Sequence, residues 1–150
     1  MILLAALFML SGSVSAVSDA DTIRLQGERL RLHGVDAPEL SQRCVRANGH
    51  SYLAGPAYRD GLIGLIRKRQ VTCTWSTRDR YGRPVATCTA AGDTLTLNEQ
   101  LVLHGYAFAF DYGRDTSPYH RAEELAHAGG RGVWNGHCER PADYRRRHRK

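Results

Sequence analysis

Four acidic residues and two arginines are the side chains of this chain best placed to do chemistry. Asp19 and Asp21 are two apart, so in an extended segment both carboxylates point to one side. Fifteen residues after Asp21 comes Val35-Asp36-Ala37-Pro38-Glu39, and a tight turn between the two stretches can bring their acidic ends together. Clustered hard oxygens of this kind suit Ca²⁺ or Mg²⁺. An isolated Asp-x-Asp is more often a turn or a cap, and Asp-Ala-Pro more often a plain loop. The neighbouring bases add weight. Arg31 alternates with apolar residues just before Asp36, and Arg83 follows Asp79-Arg80-Tyr81-Gly82. Two guanidiniums beside a hard cation would clamp a phosphate from both sides and oppose the charge that grows in its transition state. The plainer alternative pairs Arg31 structurally with Asp36 or Glu39. Glu39 is the candidate base, since a carboxylate within hydrogen-bond reach of a water can deprotonate it. The combined chemistry is phosphodiester hydrolysis.

Positioning these groups takes a folded domain, and the composition allows one. The chain has 150 residues, 42% hydrophobic and 24% charged, which excludes wholesale disorder, a coiled coil and a collagen-like fibre. Its net charge of +6 suggests a polyanionic partner, but the sequence 145–150, RRRHRK, holds five of the 21 basic residues. The rest is nearly neutral. Residues 141–150 therefore read as a polar basic tail that would add salt-sensitive, nonspecific affinity for nucleic acid.

Three short strands are expected first, around Val14–Ser18, Thr22–Gln26 and Arg29–Val35, the last two joined by a turn at Gln26-Gly27-Glu28. A loop from Asp36 to about Gly55 leads to a helix over Pro56–Lys68 with an apolar stripe of Ala57, Leu62, Leu65 and Ile66. A hairpin follows, Gln70–Ser76 and Arg83–Ala90. Thr94–His104 reads as a strand end and a short helix capped by Asn98 or a neighbour. A last helix runs from an N-cap at Ser117-Pro118 to about Ala128. Trp134 is expected to pack back onto the barrel or this helix. Short strands with two to three helices fit a small five-stranded barrel of OB type, mainly β with helices (α+β). His50, His104, His120 and His127 have no metal-ligand spacing and read as surface or packing residues.

Residues 2–10, ILLAALFML, form an unbroken apolar run followed by small residues at Val14 and Ala16, which fits a signal peptide over 1–16. The domain then spans 17–140, and the protein is exported (periplasmic or secreted) with no stable membrane association. Export favours disulfides over zinc for Cys44, Cys73, Cys88 and Cys138, no two of which are spaced C-x-x-C. Cys73 and Cys88 would face each other across the hairpin, leaving Cys44 and Cys138 as the second pair.

Asp19-Ala20-Asp21-Thr22, Arg31 through Glu39, and Asp79-Arg80-Tyr81-Gly82-Arg83 together resemble the three motifs of the staphylococcal nuclease (thermonuclease) family, in family order. The likeness runs from about Val14 to Trp134. It implies an OB-fold barrel of the staphylococcal nuclease type and a Ca²⁺-dependent endonuclease that cleaves DNA and RNA with little sequence specificity. By motif, Asp21, Asp36 and the main-chain carbonyl of Ala37 would ligate Ca²⁺, with Asp19 a nearby acid. Arg31 and Arg83 would contact the scissile phosphate, and Glu39 would be the general base. Tyr81 would lie beside the nucleotide, and Tyr112 or Phe110 would offer a stacking surface. No oligomer is implied. Ala20 stands where the family usually has Gly, and a turn demanding positive φ there would strain it by about 1 kcal/mol. A catalytically inactive OB-fold nucleic-acid-binding module is the alternative, but such a module is expected to have lost some of these acids and arginines. A disulfide-stabilised envelope interaction protein would make them incidental.

Overall fold

The computed structural model describes residues 4–149. Five strands close a barrel in the order β1-β2-β3-β8-β7: β1 is Phe8–Asp19, β2 Thr22–Leu25, β3 Glu28–Leu32, β7 Gln70–Trp75 and β8 Val85–Ala90. This is the expected five-stranded α+β barrel.

β1 is far longer than the expected Val14–Ser18. Its first half pairs with β7, from Phe8 opposite Trp75 to Ser13 opposite Gln70. Its second half pairs with β2, with register shifts near Ala16 and Asp19 that bend it around the corner. Residues 8–16 of the expected leader thus lie in the strand that closes the barrel; residues 1–3 fall outside the described residues.

The β2–β3 turn is Gln26-Gly27, both with positive φ (46° and 79°), as a two-residue hairpin requires. Between β1 and β2 the chain turns at Ala20-Asp21. Ala20 is fully buried and does not have positive φ, so the strain expected there is absent. Asp19 ends β1 and Asp21 lies in the turn, so the two do not share one extended face, and the Asp21 N–H donates to Asp19 Oδ1 at 3.2 Å.

The seam between β3 and β8 is parallel and only two pairs long, Arg31 with Val85 and Leu32 with Ala86. Asn98 reinforces it. Its buried amide donates to the carbonyls of His33 and Ala86 and accepts from the Cys88 N–H. Asn98 lies inside α2 (Leu97–Leu103), which Thr96 caps by accepting from the Glu99 N–H.

The expected loop between Asp36 and Gly55 has its own structure. Val35–Asp36 (β4) pairs with Phe108–Ala109 (β9), and Arg43–Val45 (β5) pairs with Ser51–Leu53 (β6). Helix α1 spans Ala54–Ile66 and buries Ala54, Tyr58, Leu62 and Ile66, one residue per turn. Ala57, expected on that stripe, is exposed.

Helix α3, His120–Ala128, starts later than expected. Ser117 does not cap it. Its hydroxyl donates to the Gly34 carbonyl at 2.7 Å, tying this loop to the end of β3. Trp134 packs edge-on against Phe108. The basic tail is not a free coil: Pro141–Arg147 forms helix α4.

Both cysteine pairs are disulfides, Cys73–Cys88 within the β7–β8 hairpin and Cys44–Cys138 across 94 residues. Among the described residues, no helix is long and apolar enough to cross a membrane.

Candidate active site

A cavity of about 770 Å³ opens at one end of the barrel, and every site residue expected from the sequence lines it: Asp21, Arg31, Asp36, Ala37, Glu39, Tyr81, Arg83 and Tyr112, with Asp19 and Phe110. They come from several different supports. Asp19 and Asp21 sit at the β1–β2 turn, Arg31 on β3, Asp36 on β4, Glu39 on the following loop, and Tyr81 and Arg83 on the arm before β8.

Arg31 is the hub of the acidic wall. It is 8% exposed. Its Nη1 lies 2.7 Å from Asp21 Oδ2, and its Nη2 lies 3.4 Å from Asp36 Oδ1. The Nη1 N–H is not aligned on the Asp21 oxygen, which leaves a buried donor free to turn to another acceptor. The second-shortest contact of Asp21 is with backbone: Oδ2 accepts the Ala37 N–H at 2.8 Å, clamping the Asp36-Ala37 segment to the β1–β2 turn.

Charge is crowded on this wall. Burial acts to raise the Asp21 carboxyl, but the Arg31 guanidinium and hydrogen bonds from Asp19, Ala37 and Thr22 outweigh it and hold it below the usual range. Asp19 absorbs the conflict. Burial and the adjacent Asp21 push its carboxyl up to about 7. Burial also pushes the Asp36 carboxyl up, against the hydrogen bonds it receives. Buried hard-oxygen donors in excess of their counter-charge are the chemistry a hard divalent cation satisfies. Among the described residues, however, no three acidic, histidine or cysteine side chains form a ready-made metal cage. Guanidinium groups stand between the carboxylates.

Opposite this wall, Asp79 organises the arm carrying Arg83. It accepts from the Tyr81 N–H (2.9 Å), the Arg83 N–H (3.0 Å) and Arg83 Nε (2.7 Å). Burial works to raise the Asp79 carboxyl, but these bonds hold it low. Arg83 is thereby fixed through Nε. Tyr81 is 70% exposed, with the Arg80 and Arg83 guanidiniums near its ring. On the third side, Tyr112 stacks against His33, with Phe110 edge-on to it at 4.8 Å.

Three residues that position Glu39 were not expected. Gln42 is fully buried; its Oε1 accepts the Glu39 N–H, and its Nε2 donates to the Glu139 carbonyl at 2.7 Å. Gly55, at the start of α1, lies so close to the Glu39 carbonyl that a Cβ there would collide with it. The third is Arg145 of α4. It places Nη1 3.0 Å from Asp36 Oδ1 and 2.8 Å from Glu39 Oε1, and Nη2 3.0 Å from Asp36 Oδ2. Gln42 carries no signal of its role in sequence, and Arg145 is masked by the basic run around it.

The description of one protein family, Staphylococcal nuclease homologue, matches residues 29–136, more than two thirds of the chain. The chain belongs to the staphylococcal nuclease homologue family. Among its relatives, Succinoglycan biosynthesis protein ExoI of Rhizobium meliloti is 36% identical over 129 residues, covering 83% of this chain and 65% of that protein. A probable staphylococcal-like nuclease of Oryza sativa subsp. japonica is 30% identical over 127 residues, 84% of this chain but 30% of the plant protein. An uncharacterized endonuclease of Escherichia coli is 29% identical over 128 residues, 83% of this chain and 76% of that one. The chain thus spans less than two thirds of the first two proteins.

Proposed function

We propose that this protein is a Ca²⁺-dependent nuclease that hydrolyses phosphodiester bonds in DNA and RNA with little sequence specificity. The observation that carries the reading is the convergence of Asp21, Arg31, Asp36, Glu39 and Arg83 on one cavity. Family membership and relatives named as nucleases support it.

Asp21, Asp36 and the Ala37 carbonyl would hold the cation. The donor set fits: two buried carboxylates lie beside the Ala37 backbone, and Asp36 and Glu39 attract a positive guanidinium in the structure. When bound, a divalent cation supplies positive charge against the phosphate oxygens. Glu39 takes the proton from the attacking water. Arg31 turns its unsatisfied donor to one phosphate oxygen, and Arg83, braced by Asp79, approaches from the facing wall. Both donors oppose the charge that builds as the fifth oxygen reaches phosphorus. Tyr81 and Tyr112 pack against the nucleotide, and stacking of this kind tolerates any base.

Export is part of the same reading. It rests on the apolar run 2–10 and on two disulfides, which persist in oxidising compartments. Phe8–Ser13 pair with β7, so a cut after Ala16 would remove half of the closing strand, and N-terminal sequencing of exported protein locates the cut. The reading implies no oligomer and no stable membrane association.

The test is incubation of the purified chain with DNA and with RNA, in Ca²⁺ or in chelator. Cleavage of both is expected in Ca²⁺ alone, with Glu39→Gln slower by roughly 10²–10⁴-fold. Absence of Ca²⁺-dependent cleavage, or a Glu39→Gln variant as fast as wild type, would refute the reading.

A further inference from the structure

We propose that α4 is a built-in competitor for the cation, and that a nucleic-acid strand releases it. Arg145 grips both oxygens of Asp36 and one of Glu39. The inference rests on the reading above that Asp36 is a cation ligand. A divalent cation binds carboxylate oxygens at roughly 2.3–2.6 Å and claims the same lone pairs. It also carries the same sign of charge as the guanidinium. Arg145 and the cation therefore exclude each other at Asp36.

The strap that delivers Arg145 is anchored outside the cavity. Cys138 is bonded to Cys44, the Val45 and His137 backbones pair, and Gln42 holds the Glu139 carbonyl. Arg140 forms an ion pair with Glu123 on α3. Beyond this root, α4 touches the Glu39 loop through Tyr144, whose hydroxyl lies 3.0 Å from Ser41 Oγ, and through Arg145. Its grip is the reversible part, because the Arg145 side chain is 40% exposed whereas that of Asp36 is 2% exposed. Arg145, Arg146, Arg147 and Arg149 lie together on the strap. A phosphodiester backbone offers these arginines alternative partners. The strand that is to be cut thus draws the strap off Asp36 and opens the ligand set for the cation.

Calorimetric titration of Ca²⁺ into the full chain tests this without relying on turnover. Arg145→Gln should bind Ca²⁺ roughly ten-fold more tightly than wild type, within the span of couplings between competing ligands. Arg146→Gln removes the same charge from a side chain that pairs with Asp143 instead, and should bind as wild type does. A short cleavage-resistant DNA strand with a phosphorothioate backbone should bring wild type up towards Arg145→Gln. By reciprocity, Ca²⁺ should speed hydrogen exchange of the α4 amides in wild type. Equal Ca²⁺ affinity in wild type and Arg145→Gln, with unchanged α4 exchange, overturns the inference and leaves the nuclease reading standing. A gap between the two that the DNA strand does not narrow overturns the release step. No Ca²⁺ binding even in Arg145→Gln overturns the cation reading itself, and this inference with it.

Discussion

Arg31 and Arg145 reach the same carboxylate from two different regions of the molecule. Arg31 belongs to the barrel, five residues from Asp36, buried and fixed by strand pairing on both sides. Arg145 comes from 109 residues away, on a strap outside the barrel, and stays partly in water. The difference separates a component of the site from an occupant of it. A guanidinium buried in a sheet is held in position before any ligand arrives. The Arg145 guanidinium is reached by water on one side while the carboxylate it holds is not.

The largest effect should come from the barrel arginine. Arg31→Lys keeps the charge but loses the planar fork, and cleavage should fall by roughly 10²–10³-fold with the fold intact by circular dichroism. A milder loss would mean that Arg31 serves structure more than phosphate. Next comes Gly55→Ala, which pushes on the Glu39 loop shared by barrel and strap. A misplacement near 1 Å can cost up to about 10²-fold, so kcat should drop within that bound while KM stays nearly constant.

The two disulfides sharpen the contrast further. Cys73–Cys88 closes a span of 15 residues inside a paired hairpin, whereas Cys44–Cys138 closes one of 94 and roots the strap. Chain entropy assigns about 3 kcal/mol to the shorter loop and about 4.7 kcal/mol to one near 100 residues. Cys44→Ser with Cys138→Ser should therefore cost more stability in urea than Cys73→Ser with Cys88→Ser, and it alone should tighten Ca²⁺ binding by freeing Arg145. The smallest effect concerns acid stability of the barrel away from the cavity. Bonds from Arg69 and Gln100 hold the Asp93 carboxyl below its ordinary value of 3.8. A depressed acid contributes stability above that pH, and the contribution is lost as pH falls through the folded-state value. Asp93→Asn should be less stable at neutral pH and show a shallower loss below about pH 4, followed by thermal melts.

Much of the barrel was legible because its signals are local. Gln26-Gly27 announces a hairpin, and Cys73 and Cys88 fall opposite each other once that pairing is assumed. The site was legible through residue types: Asp21, Arg31, Asp36, Glu39 and Arg83 share a cavity as their spacing suggested. What stayed hidden depends on contacts between distant segments. The first half of β1 looks like an apolar leader until β7 is laid beside it. The sequence offered Asn98 or a neighbour as the cap; the neighbour Thr96 is the cap, and Asn98 serves the sheet instead. Arg145 reads as one charge in a solvated run because nothing near it in sequence points to Asp36.

The β3–β8 seam places Arg31 and Arg83 at the shortest join of the barrel. Arg31 is on one lip, and the chain from Arg83 enters the other through Pro84, whose carbonyl accepts the Arg31 N–H. Two ladder pairs and one borrowed amide from α2 hold the lips together. The gap between the Arg31 and Arg83 guanidiniums across the cavity is thus set by how tightly this cylinder is buttoned. Asn98 is the button, and a helix that lines no part of the cavity thereby gauges the width of its mouth.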